Sequence, residues 1–526
     1  MKLIVLFLVL GQAAPSQERI DQETNARIRV EAVEHSQVMR LVHVLTDRYG
    51  PRLTGSPNYA EAAKWTAAQL DQWGLKNVHL EPFDLGYGGW ANEFSYGYLT
   101  APVQQNLVFQ PFAWTPSTNG PVSASIVQLI VPDVSSKEEM SLWLNQNASR
   151  VKGKIVMTGR ARAIPVDLRE PPAKRLDGEL LRKQYEPKGP ETEPTASPRP
   201  AGASKKRAGG LAPAEAVNML DEWLSSSGAL LIIRDAGRPF GQIQGFGRVI
   251  GFSAAIPTVI LRNEDYGRIG RLLADGEDVR AEFHVANRMY PEGRTVNNVL
   301  AEIPGTDKAL EVVMIGAHLD SWHVATGATD NAIGSAIVME AVRILNTLGR
   351  KPRRTIRVAL WAGEEEGLLG SAAYVKQHLG TFEKPQAEFD RLDCYINVDT
   401  GTGRLRGARV FGPEAAAAVV RATLEPFVRG GAGIVGAIAG RDRFAGGADT
   451  GSFRVAGLPA IGWDVDPIEY NLTQHTNLDT YERILPEDAV SSVNVVAALA
   501  WHLANRDQMV PRFAGDQMPP PPGGRE

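Results

Sequence analysis

The stretch from residue 311 to residue 401 alternates between short apolar runs and segments of helical periodicity, and this alternation limits the fold more than any other feature. The apolar runs are rich in Val, Ile, Leu and aromatic residues, as strands buried on both faces are. They span residues 311–317, 355–361 and 392–398. Between them, residues 332–345 and 371–379 repeat apolar side chains every three or four positions. The pattern predicts an α/β fold with a mixed, largely parallel sheet sandwiched by helices.

Ionisable side chains follow each of these predicted strands. They are His318 and Asp320 after the first strand, Glu364 and Glu365 after the second, and Asp399 at the end of the third. Ligand sites in parallel sheets lie at the carboxyl ends of the strands. So many carboxylates cannot share a small cleft unless a cation offsets their repulsion. The sequence therefore predicts a cation site at this edge of the sheet.

Composition sets few limits on partners. The chain has 526 residues, enough for two or three domains, with a net charge of -4 and a pI of about 6.2. This charge gives no reason to expect binding to nucleic acid. The single cysteine, Cys394, excludes an intramolecular disulfide and lies in a predicted buried strand. We predict that it is a core residue rather than a reactive thiol.

The N-terminus has the composition of a secretory signal. Lys2 precedes an apolar run at residues 3–10 and a small-residue cleavage site near Ala13 and Ala14. The run is too short to span a bilayer, and no later stretch reaches the length needed. We therefore expect a signal peptide over residues 1–14 and a secreted or periplasmic protein without a membrane span. A hydrophobic N-terminus of a cytosolic protein is the alternative.

The rest of the chain divides by composition. Successive strand-like runs predict a β-rich insert at residues 96–288, which interrupts an α/β domain formed by residues 15–95 and 289–507. Within the insert, residues 167–210 are dense in Pro, Lys, Arg and Glu. We expect a flexible surface excursion there that buries little, with a basic partner-binding patch as the alternative. The Pro-rich residues 508–526 predict a disordered tail.

Five short motifs carry the candidate chemistry, and each is ambiguous alone. They are Gly316-Ala317-His318-Leu319-Asp320, Gly327-Ala328-Thr329-Asp330-Asn331, Glu364-Glu365-Glu366-Gly367-Leu368-Leu369-Gly370-Ser371, Asn397-Val398-Asp399 and His475-Thr476-Asn477-Leu478-Asp479. A lone His-x-Asp is more often structural, Asp-Asn also suits a helix cap, and acidic residues are common after surface strands. Their order, spacing and common sheet edge distinguish this set. Asp320 fits the carboxylate that orients a metal-bound histidine.

Together with Pro51-Arg52-Leu53-Thr54-Gly55-Ser56, these motifs make the chain resemble the co-catalytic zinc aminopeptidases and their relatives, above all the plasma glutamate carboxypeptidase group. The resemblance covers nearly the whole mature chain and implies a zinc exopeptidase fold with a protease-associated domain as the insert. It also implies two Zn²⁺ per chain. His318 and Asp399 would hold one ion, Glu365 and His475 the other, and Asp330 would bridge them. Nitrogen and oxygen ligands without thiolate suit Zn²⁺.

The resemblance implies roles for the neighbouring residues as well. Glu364 is expected to act as general base beside a water shared by the two metals, with Asp320 assisting catalysis through His318. Asp449 is expected to position substrate, whereas Glu366 is expected to be a solvated bystander.

Three further expectations concern the surroundings of the metals. The resemblance implies a cis peptide bond between Asp330 and Asn331, with Asn331 serving geometry. His323 stands where an acidic residue is expected and Gln474 where many relatives have a second histidine. These two departures bear on substrate preference rather than on the metal site.

The sequence therefore predicts a secreted di-zinc exopeptidase that hydrolyses dipeptides or short peptides by dipeptidase or carboxypeptidase-like action. Aminopeptidase action, with removal of N-terminal residues, is the close alternative. Two further alternatives are a single-zinc glutaminyl cyclase and a metal-free interaction protein like transferrin-receptor ectodomains. Metal content per chain separates these classes. The oligomeric state, a homodimer included, is left open.

Overall fold

Two eight-stranded sheets organise the computed structural model, which describes residues 18–166, 173–186, 211–245, 256–399, 401–444 and 446–522. The first sheet contains the predicted parallel strands, and the insert forms the second. The segment expected to be a signal peptide lies outside the described residues. Across the ranges given above, no helix is long and apolar enough to cross a membrane.

The first sheet is mixed, as predicted. In spatial order it contains β1 (Lys76–Asp84), β10 (Thr295–Ile303), β12 (Arg354–Trp361), β11 (Lys308–His318), β15 (Leu392–Asn397), β18 (Ala460–Val465), β16 (Leu405–Phe411) and β17 (Ala437–Gly440). The four central strands β12, β11, β15 and β18 are parallel, whereas β1 and β10 pair antiparallel at one edge. His318 is level with Trp361, and Gly316 with Asn397. The residues that follow these strands therefore meet at one edge of the sheet.

Helices cover both faces of this sheet and both faces of the sheet in the insert. They are α1 (Gln22–Glu34), α2 (Val38–His43), α3 (Pro57–Gln72), α4 (Lys137–Val151), α5 (Gly178–Tyr185), α6 (Pro213–Ser226), α7 (Asn263–Ala274), α8 (Ile333–Thr347), α9 (Leu369–Tyr374), α10 (Glu414–Arg429), α11 (Thr450–Ala456), α12 (Tyr470–Thr473) and α13 (Pro486–Asn505). Short 3₁₀ or π turns occupy Val44–Arg48, Pro291–Arg294, Ala328–Ala332, Val375–Leu379, Phe389–Arg391 and Tyr481–Arg483.

The alternation of side chains along β11 divides the core into two layers. Val313 and Ile315 belong to the apolar cluster that contains α8 and α13, whereas Met314 belongs to the cluster around Trp361 on the opposite face. Residues two apart in a strand share a face, so one strand supplies both layers. Cys394 is buried and free, as predicted.

The second sheet combines antiparallel and parallel strands. In spatial order it contains β3 (Gln105–Asn106), β2 (Gly89–Ala101), β9 (Arg280–Tyr290), β5 (Val122–Leu129), β6 (Ile155–Thr158), β7 (Leu231–Asp235), β8 (Thr258–Leu261) and β4 (Phe109–Pro111). The run from β5 to β8 is parallel, and the long antiparallel ribbon of β2 and β9 connects it to the first domain. A separate hairpin pairs β13 (Gly380–Thr381) with β14 (Lys384–Pro385).

The C-terminal segment is not a disordered tail over the part that the structure describes. Val510 and Phe513 are buried, and the Val510 N–H donates to Asp393 Oδ1 over 2.8 Å. The ring of Phe513 packs edge-on against that of Phe411 at 5.4 Å. The prediction of disorder is therefore wrong up to residue 522. The prediction rested on the Pro-rich composition, which does not show that Val510 and Phe513 pack against residues from other parts of the chain.

Part of the predicted flexible excursion also packs on the first domain. Leu181 and Tyr185 of α5 are buried, and Arg175 Nη1 donates to Asp466 Oδ2 over 2.8 Å. The expectation that the excursion buries little is therefore wrong for residues 173–186, because an amphipathic helix and a charge pair anchor them. The rest of the excursion lies outside the described residues.

Candidate metal centre

Two clusters of histidine and carboxylate side chains meet at the carboxyl edge of the first sheet. One cluster contains His318, Asp330 and Asp399, and the other contains Asp330, Glu365 and His475. Within each cluster the candidate ligand atoms all lie within 4.8 Å of one another. The structure thus brings together all five side chains that the sequence singled out as ligands, although they come from four separate loops.

Asp330 belongs to both clusters. Its Oδ1 lies 3.2 Å from His318 Nε2, and its Oδ2 lies 3.1 Å from His475 Nε2. Asp399 Oδ1 is 3.5 Å from the same atom of His318, and Glu365 Oε2 is 2.9 Å from His475 Nε2. The Asp330 carboxylate therefore lies between two pairs of candidate ligands, each with one histidine nitrogen and one carboxylate oxygen. Two cations with a bridging ligand require this arrangement.

The loop before α8 holds Asp330 in place. The Asp330–Asn331 peptide bond is cis, as the resemblance led us to expect. Asn331 Nδ2 donates to the Val398 carbonyl over 2.9 Å, and its Oδ1 accepts from the Gly334 N–H over 3.0 Å. The Asn331 side chain thereby ties the start of α8 to the chain that leads to Asp399.

Asp479 secures the same loop from the opposite side. Its carboxylate accepts the backbone N–H groups of Thr329 over 2.5 Å and of Asp330 over 3.1 Å. Asp479 had no predicted role, although it ends the motif that begins with His475. The spacing in that motif was the available signal, since it places a carboxylate one turn beyond a candidate ligand.

Asp320 lies beneath the turn that carries two candidate site residues. Its carboxylate accepts the Thr54 hydroxyl over 3.0 Å and the backbone N–H groups of Glu365 over 3.2 Å and Glu364 over 3.4 Å. The Nδ1 of His318 is 3.1 Å from the Asp320 backbone carbonyl but 3.7 Å from its Oδ1. The carbonyl is therefore the group that orients the ring here, and the carboxylate orients the turn.

Glu366 is not the solvated residue that the sequence analysis expected. Both of its carboxylate oxygens are buried, and burial together with the charge of Asp320 raises its pKa well above the usual range. Gly363, at a φ of +70°, and Gly367, at a φ of +118°, bend the turn so that successive side chains diverge. The side chains of the three adjacent glutamates therefore point in different directions. For this reason Glu366 is buried although it lies in an acidic run.

A cavity of about 330 Å³ opens over the two clusters. Glu364 lines it beside the ligands, together with Leu368, Gly446, Gly447 and Tyr470. Tyr470 was missed from the sequence because nothing in its neighbourhood marks it as a site residue.

Three residues singled out in the sequence lie differently around this cavity. Gln474 lines it, whereas Asp449 is completely buried and is not among the described lining residues. The expected contact of Asp449 with substrate is therefore not one that the cavity wall offers. His323 lies away from the cavity, where its Nε2 is 2.8 Å from the Pro111 carbonyl of the insert.

Burial in one case and neighbouring charges in the other raise the pKa of an acidic and of a basic group in the second cluster. Burial raises the pKa of Glu365 to about 7. The pKa of His475 rises to about 10 although burial lowers it, because Glu365 and Asp330 face the ring. Positive charge is thus favoured between the carboxylates, as a divalent cation would supply it.

The donor atoms also fit a metal ion. His318 Nε2, Asp330 Oδ2 and Glu365 Oε1 are buried and make no hydrogen bond of good geometry. Buried polar atoms are seldom left in that condition unless a ligand or ion uses them. Their lone pairs are therefore available for coordination.

The chain is similar to known peptidases. Residues 298–500 match the family described as Peptidase family M28. Carboxypeptidase Q of Mus musculus is 25% identical over 97% of this chain and 98% of its own length. Carboxypeptidase Q of Rattus norvegicus is 26% identical over 89% of this chain and 85% of its own length.

Solved structures support the same relationship. A Peptidase M28 precursor from Shewanella amazonensis SB2B is 26% identical, with a TM-score of 0.64, over 94% of this chain and 98% of that one. A zinc aminopeptidase from Bacillus subtilis shares the fold at 18% identity, with a TM-score of 0.55, over 91% of this chain and 98% of that one.

The fold and the two joined clusters, taken with these relatives, define a metallo-exopeptidase. The region that matches peptidase family M28 contains β11, α8, β12 and β15 together with all five candidate ligands.

Proposed function

We propose that the chain is an exopeptidase that uses two zinc ions. In this proposal His318 and Asp399 hold one ion, and Glu365 and His475 hold the other. The observation that carries it is the position of Asp330, whose two oxygens lie 3.2 and 3.1 Å from the two histidines. Nitrogen and oxygen donors suit zinc, and the Bacillus subtilis protein that shares the fold is a zinc aminopeptidase.

Glu364 is the proposed general base. It lines the same cavity but belongs to neither cluster, so its carboxylate is available for proton transfer. When bound, the two ions would lower the pKa of the attacking water and stabilise the charge that develops on the carbonyl oxygen. Glu364 accepts a proton from that water and delivers it to the leaving nitrogen. Asp320 holds the backbone of this turn and so fixes where the base points.

We propose dipeptides or short peptides as substrates. The cavity of about 330 Å³ has the size of a small ligand site, which limits the substrate to a few residues. Similarity to carboxypeptidase Q over nearly the whole chain supports dipeptidase or carboxypeptidase-like action.

Aminopeptidase action is the second candidate, and one observation favours it. The described residues that line the cavity include four carboxylates but no Arg or Lys. A free substrate carboxylate would find no basic side chain among the described lining residues, whereas a free substrate amine needs none.

A panel of dipeptides decides between the two actions. Carboxypeptidase-like action requires cleavage of N-acetylated dipeptides and loss of activity on C-terminal amides. Aminopeptidase action requires the opposite, and a dipeptidase rejects both. The purified chain should contain two zinc ions, lose hydrolysis on chelation and regain it with zinc. One ion would indicate the glutaminyl cyclase alternative, and none would indicate an interaction protein.

Two other features belong to the same proposal. We assign the insert as a protease-associated domain at residues 96–288, although its sheet runs from Gly89 to Tyr290. We also propose export directed by residues 1–14, which N-terminal sequencing of the protein from its natural host would test. An N-terminus near residue 15 is the expected result.

A further inference from the structure

The insert sends one segment to the edge of the candidate metal centre. Residues 241–245, here called the strap, run beside residues 475–477, and Gln244 pairs with Thr476 as an antiparallel bridge. Ile243 of the strap is completely buried. A segment from one domain therefore lies against the chain that supplies a candidate ligand in the other.

Main-chain and side-chain hydrogen bonds join the two segments. The Gly245 N–H donates to the His475 carbonyl over 2.8 Å, and the Asn477 N–H donates to the Ile243 carbonyl over 3.1 Å. The Asn477 side chain brackets the strap, since its Oδ1 accepts the Ile243 N–H over 2.8 Å and its Nδ2 donates to the Gly241 carbonyl over 3.3 Å. The Asn477 side chain thus joins the loop that carries His475 to the insert by hydrogen bonds.

The strap has little freedom to move away. A Cβ added to Gly245 would lie 2.4 Å from Val324 Cγ1, so the strap passes closely between Val324 and the His475 loop. Trp322 lies between the rings of His475 and of Trp114 in the insert, at centroid distances of 6.3 and 6.4 Å. Contacts with the insert thus reach the candidate ligand by two routes.

The backbone of His475 needs such support. Its φ is +56°, a left-handed backbone conformation that residues other than glycine rarely adopt. Such a conformation persists only where the surroundings enforce it. The hydrogen bond from Gly245 to the His475 carbonyl acts directly on this residue.

We propose that the strap positions His475, and that Asn477 thereby sets the metal affinity of the half-site formed by Glu365 and His475. This inference rests on the proposed function, because it takes His475 as a ligand. Asn477 touches neither the metal nor the substrate in this proposal, so it is a positioning residue. The half-site of His318 and Asp399 has no bond to the strap among the described contacts and should be indifferent to it.

The test compares Asn477→Ala with a matched control in the full chain. Asn147, a buried residue of the insert, likewise makes two side-chain hydrogen bonds, but within α4 and away from the cavity. Zinc per chain is measured by equilibrium dialysis against zinc buffers. Removal of a residue that orients a ligand typically weakens metal binding by about 10–100-fold. We expect that loss at one of the two sites in Asn477→Ala, and two wild-type sites in Asn147→Ala.

Two further variants guard the interpretation. Asn477→Asp keeps the acceptor for the Ile243 N–H but loses the donor to Gly241, so its affinity should fall between those of wild type and Asn477→Ala. In a Glu365→Gln background, where the second half-site is already disabled, Asn477→Ala should leave the remaining zinc affinity unchanged. Circular dichroism and gel filtration of each variant report whether the fold is retained.

Three results would overturn the inference. They are wild-type affinity at both sites of Asn477→Ala, an equal loss at both sites, and a further loss in the Glu365→Gln background. If the wild-type chain binds no zinc, the proposed function fails first and the positioning role falls with it. Failure of the inference alone is recognised by two wild-type sites in both Asn477→Ala and the parent chain.

Discussion

Arg52 offers the sharpest test of how the loops of the metal centre are held. Its side chain is completely buried, and within the described part of the chain its hydrogen bonds go to backbone carbonyls. Nε donates to the Leu319 carbonyl over 2.7 Å, Nη1 to the carbonyls of Leu45 and Thr326 over 2.9 and 2.8 Å, and Nη2 to that of Gly327 over 2.9 Å. The guanidinium thus joins the loop after His318 to the loop before Asp330.

The substitution Arg52→Lys removes this fork while keeping the charge. Lysine presents its three donors on a single nitrogen, which cannot reach all the carbonyls that the guanidinium spans, and we expect it to satisfy two of the four. Each buried acceptor left without a partner costs about 1–3 kcal/mol, so two unpaired carbonyls predict a loss of about 2–6 kcal/mol. For a domain of this size, that corresponds to a fall in melting temperature of roughly 3–10 °C.

The assay is thermal unfolding of the full chain followed by circular dichroism and by dipeptide hydrolysis after heating. Arg40→Lys is the control, because Arg40 is exposed on α2 and its replacement should shift the transition by less than about 1 °C. Arg52→Lys should melt well below both the control and the wild type. A shift no larger than that of Arg40→Lys would refute the reasoning, since four buried carbonyls would then have found other partners.

Three further predictions concern catalysis, the C-terminal segment and pH. Glu364→Gln should retain zinc but lower kcat by about 10²–10⁴-fold, and near wild-type turnover would show that another group is the base. Deletion of residues 508–526 should lower the melting temperature, because burial of a side chain such as Phe513 contributes about 1.5–3 kcal/mol; an unchanged transition would show that the segment does not pack in solution. The His378 ring is hydrogen-bonded to Glu388 and, with a smaller effect, to Glu81, and these bonds raise its pKa to about 9. The pKa of a histidine in the unfolded chain is about 6.5, so protonated His378 contributes its full stabilisation of the fold below about pH 6.5. This contribution is lost as the pH rises through about 9. Stability should thus fall by roughly 1–2 kcal/mol over that window, after allowance for screening, and His378→Gln should remove this slope in urea titrations.

Much of the centre could be anticipated from local patterns. The strands β11, β12 and β15 are continuous apolar runs, because a central parallel strand is buried on both faces. Parallel strands end at the same edge, so the ionisable residues after them had to converge. The approach of His318, Glu365 and Asp399 follows from that rule without knowledge of any side-chain contact, whereas Asp330 and His475 were expected as ligands only from the family resemblance.

Composition gave a wrong prediction where a few buried side chains or ion pairs fix a segment that is otherwise polar or Pro-rich. The segment after Asn505 is Pro-rich, yet Val510 and Phe513 bury their side chains. Residues 173–186 lie in a charged stretch, yet Leu181 packs and Arg175 finds Asp466 some 291 positions away. A compositional rule averages over a window and cannot register a single distant partner.

The sequence by itself determined the class of fold and the order in which the candidate ligands reach one sheet edge, because hydrophobic periodicity and strand ends are local properties. Only the tertiary structure decided the rest. Burial of Glu366, the bonds of Asp320 to the turn above it and the grip of Asn477 on the strap all join residues far apart in the chain. Such contacts depend on tertiary packing, which selects partners by shape and hydrogen bonding that no spacing along the chain records.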